Sequence, residues 1–254
     1  MTGAAVLAGK GALRSGVGLV SVATADACVP TIAAGEPSYM TLSLPEDGDR
    51  RISLVEHHSL LKTAESCTSV GIGPGLGRSS DLDHTVCGLV RDLPLPLVID
   101  ADAINALVSH QPYLEQRHEE TILTPHPGEF ARLLDVSTHD VQEKRVELAV
   151  DYAMKYQVVV VLKGEGTVVT DGARYYVNKT GNPGLATGGT GDVLMGFITG
   201  LVAQPGFKAF DAACLGVYLH GLAGDLAAQE LSQPGMLASD LPFYLAKAWT
   251  RFVG

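Results

Sequence analysis

Eight short runs of β-branched and aliphatic residues, at 17–24, 39–44, 67–73, 95–100, 121–124, 158–163, 167–170 and 174–178, most limit what this 254-residue chain can fold into. Most are separated by longer stretches, two of which, 80–92 and 139–156, have helical length and spacing. Strands alternating with helices predict a mainly parallel sheet covered on both faces, because parallel neighbours need a crossover connection. The last two runs differ. Thr170, Asp171, Gly172 and Ala173 make a tight turn that joins them as an antiparallel hairpin, so the sheet is expected to be mixed at one edge. After Asn182 the pattern is helical, over 191–203, 210–232 and 239–252, and an amphipathic segment, 2–15, opens the chain. The polar stretch 45–51 is short enough to be a surface turn, and no repeat or linker divides the chain. One domain over 1–254 is expected.

Composition narrows the function. Eighteen Lys and Arg against 28 Asp and Glu give a net charge of −10, which repels nucleic acid and anionic lipid. A small anionic ligand must then be held by helix N-termini and backbone N–H groups. Cys28, Cys67, Cys87 and Cys214 lie far apart with no Cys-x-x-Cys pair, which argues against zinc and disulfides and for a reducing, cytoplasmic compartment. No run of 18 apolar residues is present and no basic leader precedes the first apolar residues, so neither membrane nor export is expected.

In an open α/β sheet, ligands bind beyond the carboxyl ends of the strands, and unusual residues gather there. Gly73-Pro74-Gly75-Leu76-Gly77 follows one strand; it suits close approach of backbone to a ligand, and equally a turn needing positive φ. Asp100-Ala101-Asp102-Ala103-Ile104-Asn105 follows the next, and helix capping by Asp102 explains one carboxylate but not both. His126 sits between Pro125 and Pro127, which fix the backbone and hold the imidazole at the rim. The other seven histidines read as surface or core residues. Lys163-Gly164-Glu165-Gly166-Thr167 places a cation and a hydroxyl where a nucleotide phosphate or ribose could meet them, or simply turns the chain into the hairpin.

The strongest segment is 182–194, NPGLATGGTGDVL. Gly188, Gly189, Thr190 and Gly191 precede an apolar helix, so their N–H groups are expected to form an anion hole. No Gly-Lys-[Ser/Thr] ends it, so it is not a Walker loop. Asp192 in the first helical turn adds a carboxylate able to orient or deprotonate an attacking hydroxyl, a combination suited to phosphoryl transfer.

The segments TGAAVLAGKGALRSGVGLV, GPGLG, DADAINAL, TPHPGEFARLL, KGEGT and NPGLATGGTGDVL, in that order from about Thr2 to Asp225, resemble the NAD(P)H-hydrate dehydratase family of the ribokinase-like superfamily. The resemblance implies a three-layer α/β/α sandwich with an antiparallel edge hairpin. It also implies ADP-dependent dehydration of the S epimer of hydrated NADH and NADPH, yielding NAD(P)H, AMP and phosphate, with ATP the co-substrate in eukaryotic members. Magnesium is implied with the nucleotide, although no metal-ligand cluster is visible. Residue by residue, the resemblance assigns hydrate binding to Ala4, Gly75, His126 and Asp192, and nucleotide binding to Lys163, Gly164, Glu165, Gly166, Thr167 and Gly191. Asp102 and Asn105 match a further family segment. A homotetramer, with the helix near 209–226 at an interface, and an epimerase, fused or separate, are implied as partners. Family members normally carry a strand ahead of TGAAVLAG, so the resemblance implies a domain lacking its first strand. A ribokinase-like kinase of a small alcohol would share Asp192 and its glycines, and a non-catalytic nucleotide-binding subunit would share the fold; His126 with its prolines and the Lys163 turn argue against the former.

Overall fold

A computed structural model describes residues 1–49, 51–53 and 57–254. The chain runs α1 (Thr2–Leu13), β1 (Ser21–Ala25), α2 (Val29–Ala33), β2 (Met40–Leu44), α3 (His57–Ala64), β3 (Val70–Ile72), α4 (Ser80–Asp92), β4 (Leu97–Ile99), α5 (Ala101–Leu107), α6 (Pro112–Glu115) and β5 (Thr121–Leu123). It continues α7 (Pro127–Leu134), α8 (Thr138–Glu143), α9 (Arg145–Tyr156), β6 (Val159–Leu162), β7 (Val168–Thr170), β8 (Tyr175–Val177), α10 (Thr190–Val202), α11 (Ala209–Leu231) and α12 (Leu241–Val253). Each of the eight expected strands is present. Of the expected polar turn at 45–51, Arg50 lies outside the described residues.

Strands β3 to β8 form one sheet in sequential order, parallel from β3 to β6 and antiparallel through β7 and β8. The sheet therefore reverses one strand earlier than the hairpin alone required. Side-chain alternation sorts the core into two layers. Leu97, Ile99, Leu123, Val160 and Leu162 face α3 to α9, around the fully buried Phe130. Val98, Ile122, Val159, Val161 and Val169 face α1 and α10 to α12, around the fully buried Phe197. Each ring contributes about 2–3 kcal/mol by leaving water.

Two expectations need correction. Strands β1 and β2 do not join the main sheet; they pair with each other in parallel through α2, while α3, on the connection to β3, packs on α4 instead of carrying the chain alongside β2. The segment 139–156 is two helices rather than one, broken at Lys144 (φ −120°, ψ 35°). No glycine or proline marks the break. It re-aims the chain so that Arg145 reaches the carbonyls of Leu162 (2.9 Å) and Lys163 (3.3 Å), beneath the turn after β6.

Helices α1 and α10 pack at backbone distance. A Cβ on Gly196 would collide with the carbonyl of Ala8, one on Gly200 with Ser15 and the carbonyl of Ala12, and one on Gly11 with the carbonyl of Val193. Glycine at these three positions lets the helices run side by side in the same direction, with position 8 level with 196 and 12 with 200. One turn earlier, that register brings Ala4 level with Asp192.

Candidate active site

The carboxyl ends of β3 to β6 converge on the N-terminus of α10. Gly189, at φ +97°, turns the chain into the helix in a conformation that any Cβ would strain, and a Cβ there would also meet Leu7 of α1. Among the described residues, the N–H groups of Gly188, Gly189, Gly191 and Asp192 have no protein acceptor. They form the open positive end of a 13-residue helix. Thr190 is the exception in the expected anion hole. Its N–H donates to the Thr187 carbonyl at 3.4 Å and its hydroxyl bonds the carbonyls of Leu185 (2.8 Å) and Thr187 (3.0 Å), so it closes the loop instead of facing a ligand.

Asp192 is half-buried beside this nest. Burial pushes its carboxyl up to about 6, nearby Asp100 adds to the rise, and Lys163 partly offsets it. Lys163 lies at the centre of the carboxylates. Its Nζ is 2.6 Å from Oδ1 of buried Asp100 and 3.9 Å from Glu129, and it borders Gly191. Burial works against its charge, but Asp100 and Glu129 outweigh it and hold the ammonium above the ordinary lysine value. The cation is thus fixed at the mouth of the anion hole by two carboxylates that need it.

His126 is the N-cap of α7. Its Nδ1 accepts from the N–H groups of Gly128 (3.0 Å) and Glu129 (3.3 Å), while Glu129 Oε2 accepts from the His126 N–H at 2.8 Å, closing a capping box. An accepting Nδ1 requires a neutral ring protonated at Nε2. Burial, opposed by Glu129 and supported by Lys163, lowers its pKa in the same sense. About half of the side chain remains exposed, so the ring stands at the rim, with Nε2 3.4 Å from Glu129 Oε1.

Asp102, Asn105 and the glycine turns hold the site together. Asp102 does not cap α5, whose N-cap position is Asp100; it sits in the first turn and accepts from the Gly77 N–H at 2.8 Å, fixing the GPGLG loop. Ala101 between the two carboxylates has φ +49°, a strained conformation for alanine. Asn105 accepts from Arg132 at 3.0 Å, tying α5 to α7. Gly75, at φ +74°, packs against the Met1 carbonyl, which brings its loop beside the start of α1 and Ala4. In the turn after β6, Gly164 and Gly166 take positive φ, the Thr167 hydroxyl closes the turn onto Gly164 (2.8 Å), and Glu165 is exposed.

Sequence reasoning missed the supports on α11. Asp225 accepts from the Gly181 N–H (2.9 Å) and from Asn182 (3.0 Å), anchoring the start of the glycine loop. His220 is buried, as a core histidine was expected to be, but its Nε2 lies 3.0 Å from the Thr190 carbonyl at the loop's other end. Gly221 and Gly224 permit the approach, since a Cβ on either would collide with Thr180 or Leu185. The signal HGLAGD was readable as small residues on one helix face, but not the loop it serves.

A chain with this site matches known proteins along nearly its whole length. The family profile for NAD(P)H-hydrate dehydratase covers residues 1–247. The chain belongs to the NAD(P)H-hydrate dehydratase family. It is 44% identical over 247 residues to a bifunctional NAD(P)H-hydrate repair enzyme of Moorella thermoacetica, covering 96% of this chain and 46% of that protein. The chain thus spans about half the length of such bifunctional relatives. It is 36% identical to an ADP-dependent (S)-NAD(P)H-hydrate dehydratase of Bacillus subtilis, over 99% of this chain and 86% of that protein. A crystal structure of the Bacillus subtilis ADP/ATP-dependent NAD(P)H-hydrate dehydratase, co-crystallised with ATP/Mg2+ and soaked with CoA, superposes with a TM-score of 0.80 at 34% identity, covering 99% of this chain and 88% of that one. Within this family, the six motifs that carried the resemblance all lie at the carboxyl end of the sheet or on the α1 and α10 helices beside it.

Proposed function

We propose that this protein is an ADP-dependent (S)-NAD(P)H-hydrate dehydratase. The observation that carries the reading is Asp192: a half-buried carboxyl raised to about 6, at the four N–H groups that have no acceptor among the described residues. Above pH 6 it is ionised and able to take a proton from the hydroxyl at C6 of the hydrated nicotinamide ring. The freed oxygen attacks the β-phosphorus of ADP, the bond to the bridging oxygen breaks, and AMP leaves. Phosphate then departs from C6 as the ring nitrogen lone pair pushes in, and loss of the C5 proton restores the dihydropyridine. Hydroxide itself is too poor a leaving group for that elimination, which is why a nucleoside phosphate is consumed.

The Gly188, Gly189 and Gly191 N–H groups suit the charge that develops on the transferring phosphoryl group, and fixed donors cost no reorganisation when that charge appears. Lys163, with Gly164, Glu165, Gly166 and Thr167, suits the nucleotide. Ala4, Gly75 and the Nε2–H of His126 suit the hydrate. Among the described residues no three acidic or imidazole side chains converge as a metal cage. The donors fit a magnesium ion carried on the nucleotide phosphates with one or two of the Asp100, Glu129 and Asp192 carboxylates, where it would neutralise phosphate charge.

The bifunctional relatives support an epimerase acting with this domain, fused or separate. A homotetramer with the helix near 209–226 at an interface remains part of the proposal; Leu215, Tyr218, Leu222 and Leu226 on α11 are only partly buried, and Phe243, Phe252 and Val253 on α12 are exposed. Among the described residues no helix is long and apolar enough to cross a membrane, and a cytoplasmic location is the one we propose. The test is to mix the protein with hydrated NADH, ADP and magnesium. Growth of the dihydronicotinamide absorbance with stoichiometric AMP is expected, and a well-folded protein that gives neither overturns the proposal.

A further inference from the structure

The proposed reaction leaves the buried imidazole of His220 unused. His220 lies on α11, outside the motifs that carried the resemblance, and is 7% exposed. Its Nε2 is 3.0 Å from the carbonyl oxygen of Thr190. A carbonyl can only accept, so Nε2 carries the proton. Burial, with a contribution from Lys163, pushes the ring's pKa down to about 4, against the pull of the Thr190 contact, so the imidazole donates as a neutral group.

The Thr190 carbonyl and the Gly191 N–H belong to one peptide unit. In a trans peptide the two bonds point in opposite directions, and the unit is rigid. A donor that fixes the carbonyl on the α11 side therefore aims the Gly191 N–H away from α11, toward the open N-terminal end of α10. Donation to the carbonyl also polarises the peptide and strengthens its N–H as a donor.

We propose that His220 is a positioning residue for the phosphoryl group, acting through the Thr190–Gly191 peptide. The rest of the loop is secured independently. Asp225 holds Gly181 and Asn182, and the Thr190 hydroxyl is occupied by Leu185 and Thr187. Because Thr190 opens α10, the helix sets the rough direction of its peptide, and His220 adds the fine aim and the strength of one N–H. The inference rests on the proposed nucleotide-dependent reaction, but its effect is read on ADP binding as well as on turnover.

The experiment compares His220→Gln with His220→Met. Glutamine places an amide nitrogen near the position of imidazole Nε2, whereas methionine has the same reach and no donor. Affinities for ADP and for adenosine are measured by calorimetry, together with kcat and melting temperature. The methionine variant is expected to bind ADP roughly tenfold more weakly, with a comparable loss of kcat, and to bind adenosine as the wild type does, because only the phosphates meet the N–H. The glutamine variant is expected to recover most of both. Equal behaviour of the two variants, or parallel loss of ADP and adenosine affinity, overturns the proposal. In the wild-type protein, nitrogen-15 NMR at pH 7 is expected to report a neutral Nε2–H imidazole at His220; an imidazolium or an Nδ1–H ring overturns it whether or not the variants fold. Wild-type protein that binds ADP, shows the Gln–Met difference and yet forms no NADH sinks the dehydratase reading alone.

Discussion

The two ends of the central strands are built from similar residues and spend them differently. At the amino ends, charge is used for closure. Arg117 is buried and donates to the carbonyls of Val90, Leu93 and Leu95 and to the Thr121 hydroxyl, Glu120 accepts from the Ala209 N–H at the start of α11, and Asp171 pairs with Arg174. A cleft of about 640 Å³ lies there, with Phe210 under the Arg174 guanidinium, yet Glu120, Asp171 and Arg174 already have partners. At the carboxyl ends, N–H groups without protein acceptors face a raised carboxyl and an ammonium clamped by two carboxylates. Free volume marks the first end; unspent hydrogen-bonding capacity and opposed charges mark the second, and those are what a reaction needs.

Asp192→Asn tests that contrast most severely. Turnover is expected to fall about 10³-fold, within the range for loss of a general base, while ADP affinity measured by calorimetry changes less than threefold. The wild-type profile of kcat/KM should fall on the acid side of about pH 6, tenfold per unit, as Asp192 gains its proton. An unchanged profile with an intact Asp192 would remove it from the proton transfer.

Lys163→Met removes the cation but keeps its length. Asp100, 1% exposed, is then left charged without a partner, so stability should drop by about 3–5 kcal/mol in urea unfolding. Replacing Asp100 with Asn in the same protein should return part of it. If the single variant is as stable as the wild type, the pair does not hold the site.

Gly196→Ala probes the register that brings α1 to the site. The new methyl collides with the Ala8 carbonyl, which is backbone and cannot swing aside, so about 1–3 kcal/mol of stability should be lost along with part of the hydrate affinity. Hydrate KM unchanged in a destabilised protein would separate α1 from substrate binding.

Phe210→Ala, at the amino end, gives the smallest effect. Phe210 is only partly buried, so a loss of about 1 kcal/mol and turnover within twofold of wild type are expected. A collapse of activity here would abolish the distinction between the two ends.

Much of this was legible from residues. Local chemistry placed the eight strands, the 80–92 helix, the rim histidine and the NPGLATGGTGD loop, because turn residues, caps and periodicity act within a few positions. Three features were not. The break at Lys144 left no glycine or proline, since it is set by what Arg145 reaches across the fold. The Thr190 N–H looked like an anion-hole donor, but the loop's curl turns it onto the Thr187 carbonyl. His220 and Asp225 looked like any polar residues of an apolar helix.

By itself, then, the sequence determined the layered α/β class and the residue types at the strand ends, because periodicity and backbone chemistry are local. Only the tertiary structure decided which groups share a charge, which N–H groups stay without an acceptor and which distant helix holds the loop. Those are properties of distances between segments far apart in the chain, such as the 63 residues separating Asp100 from Lys163, and burial sets their strength.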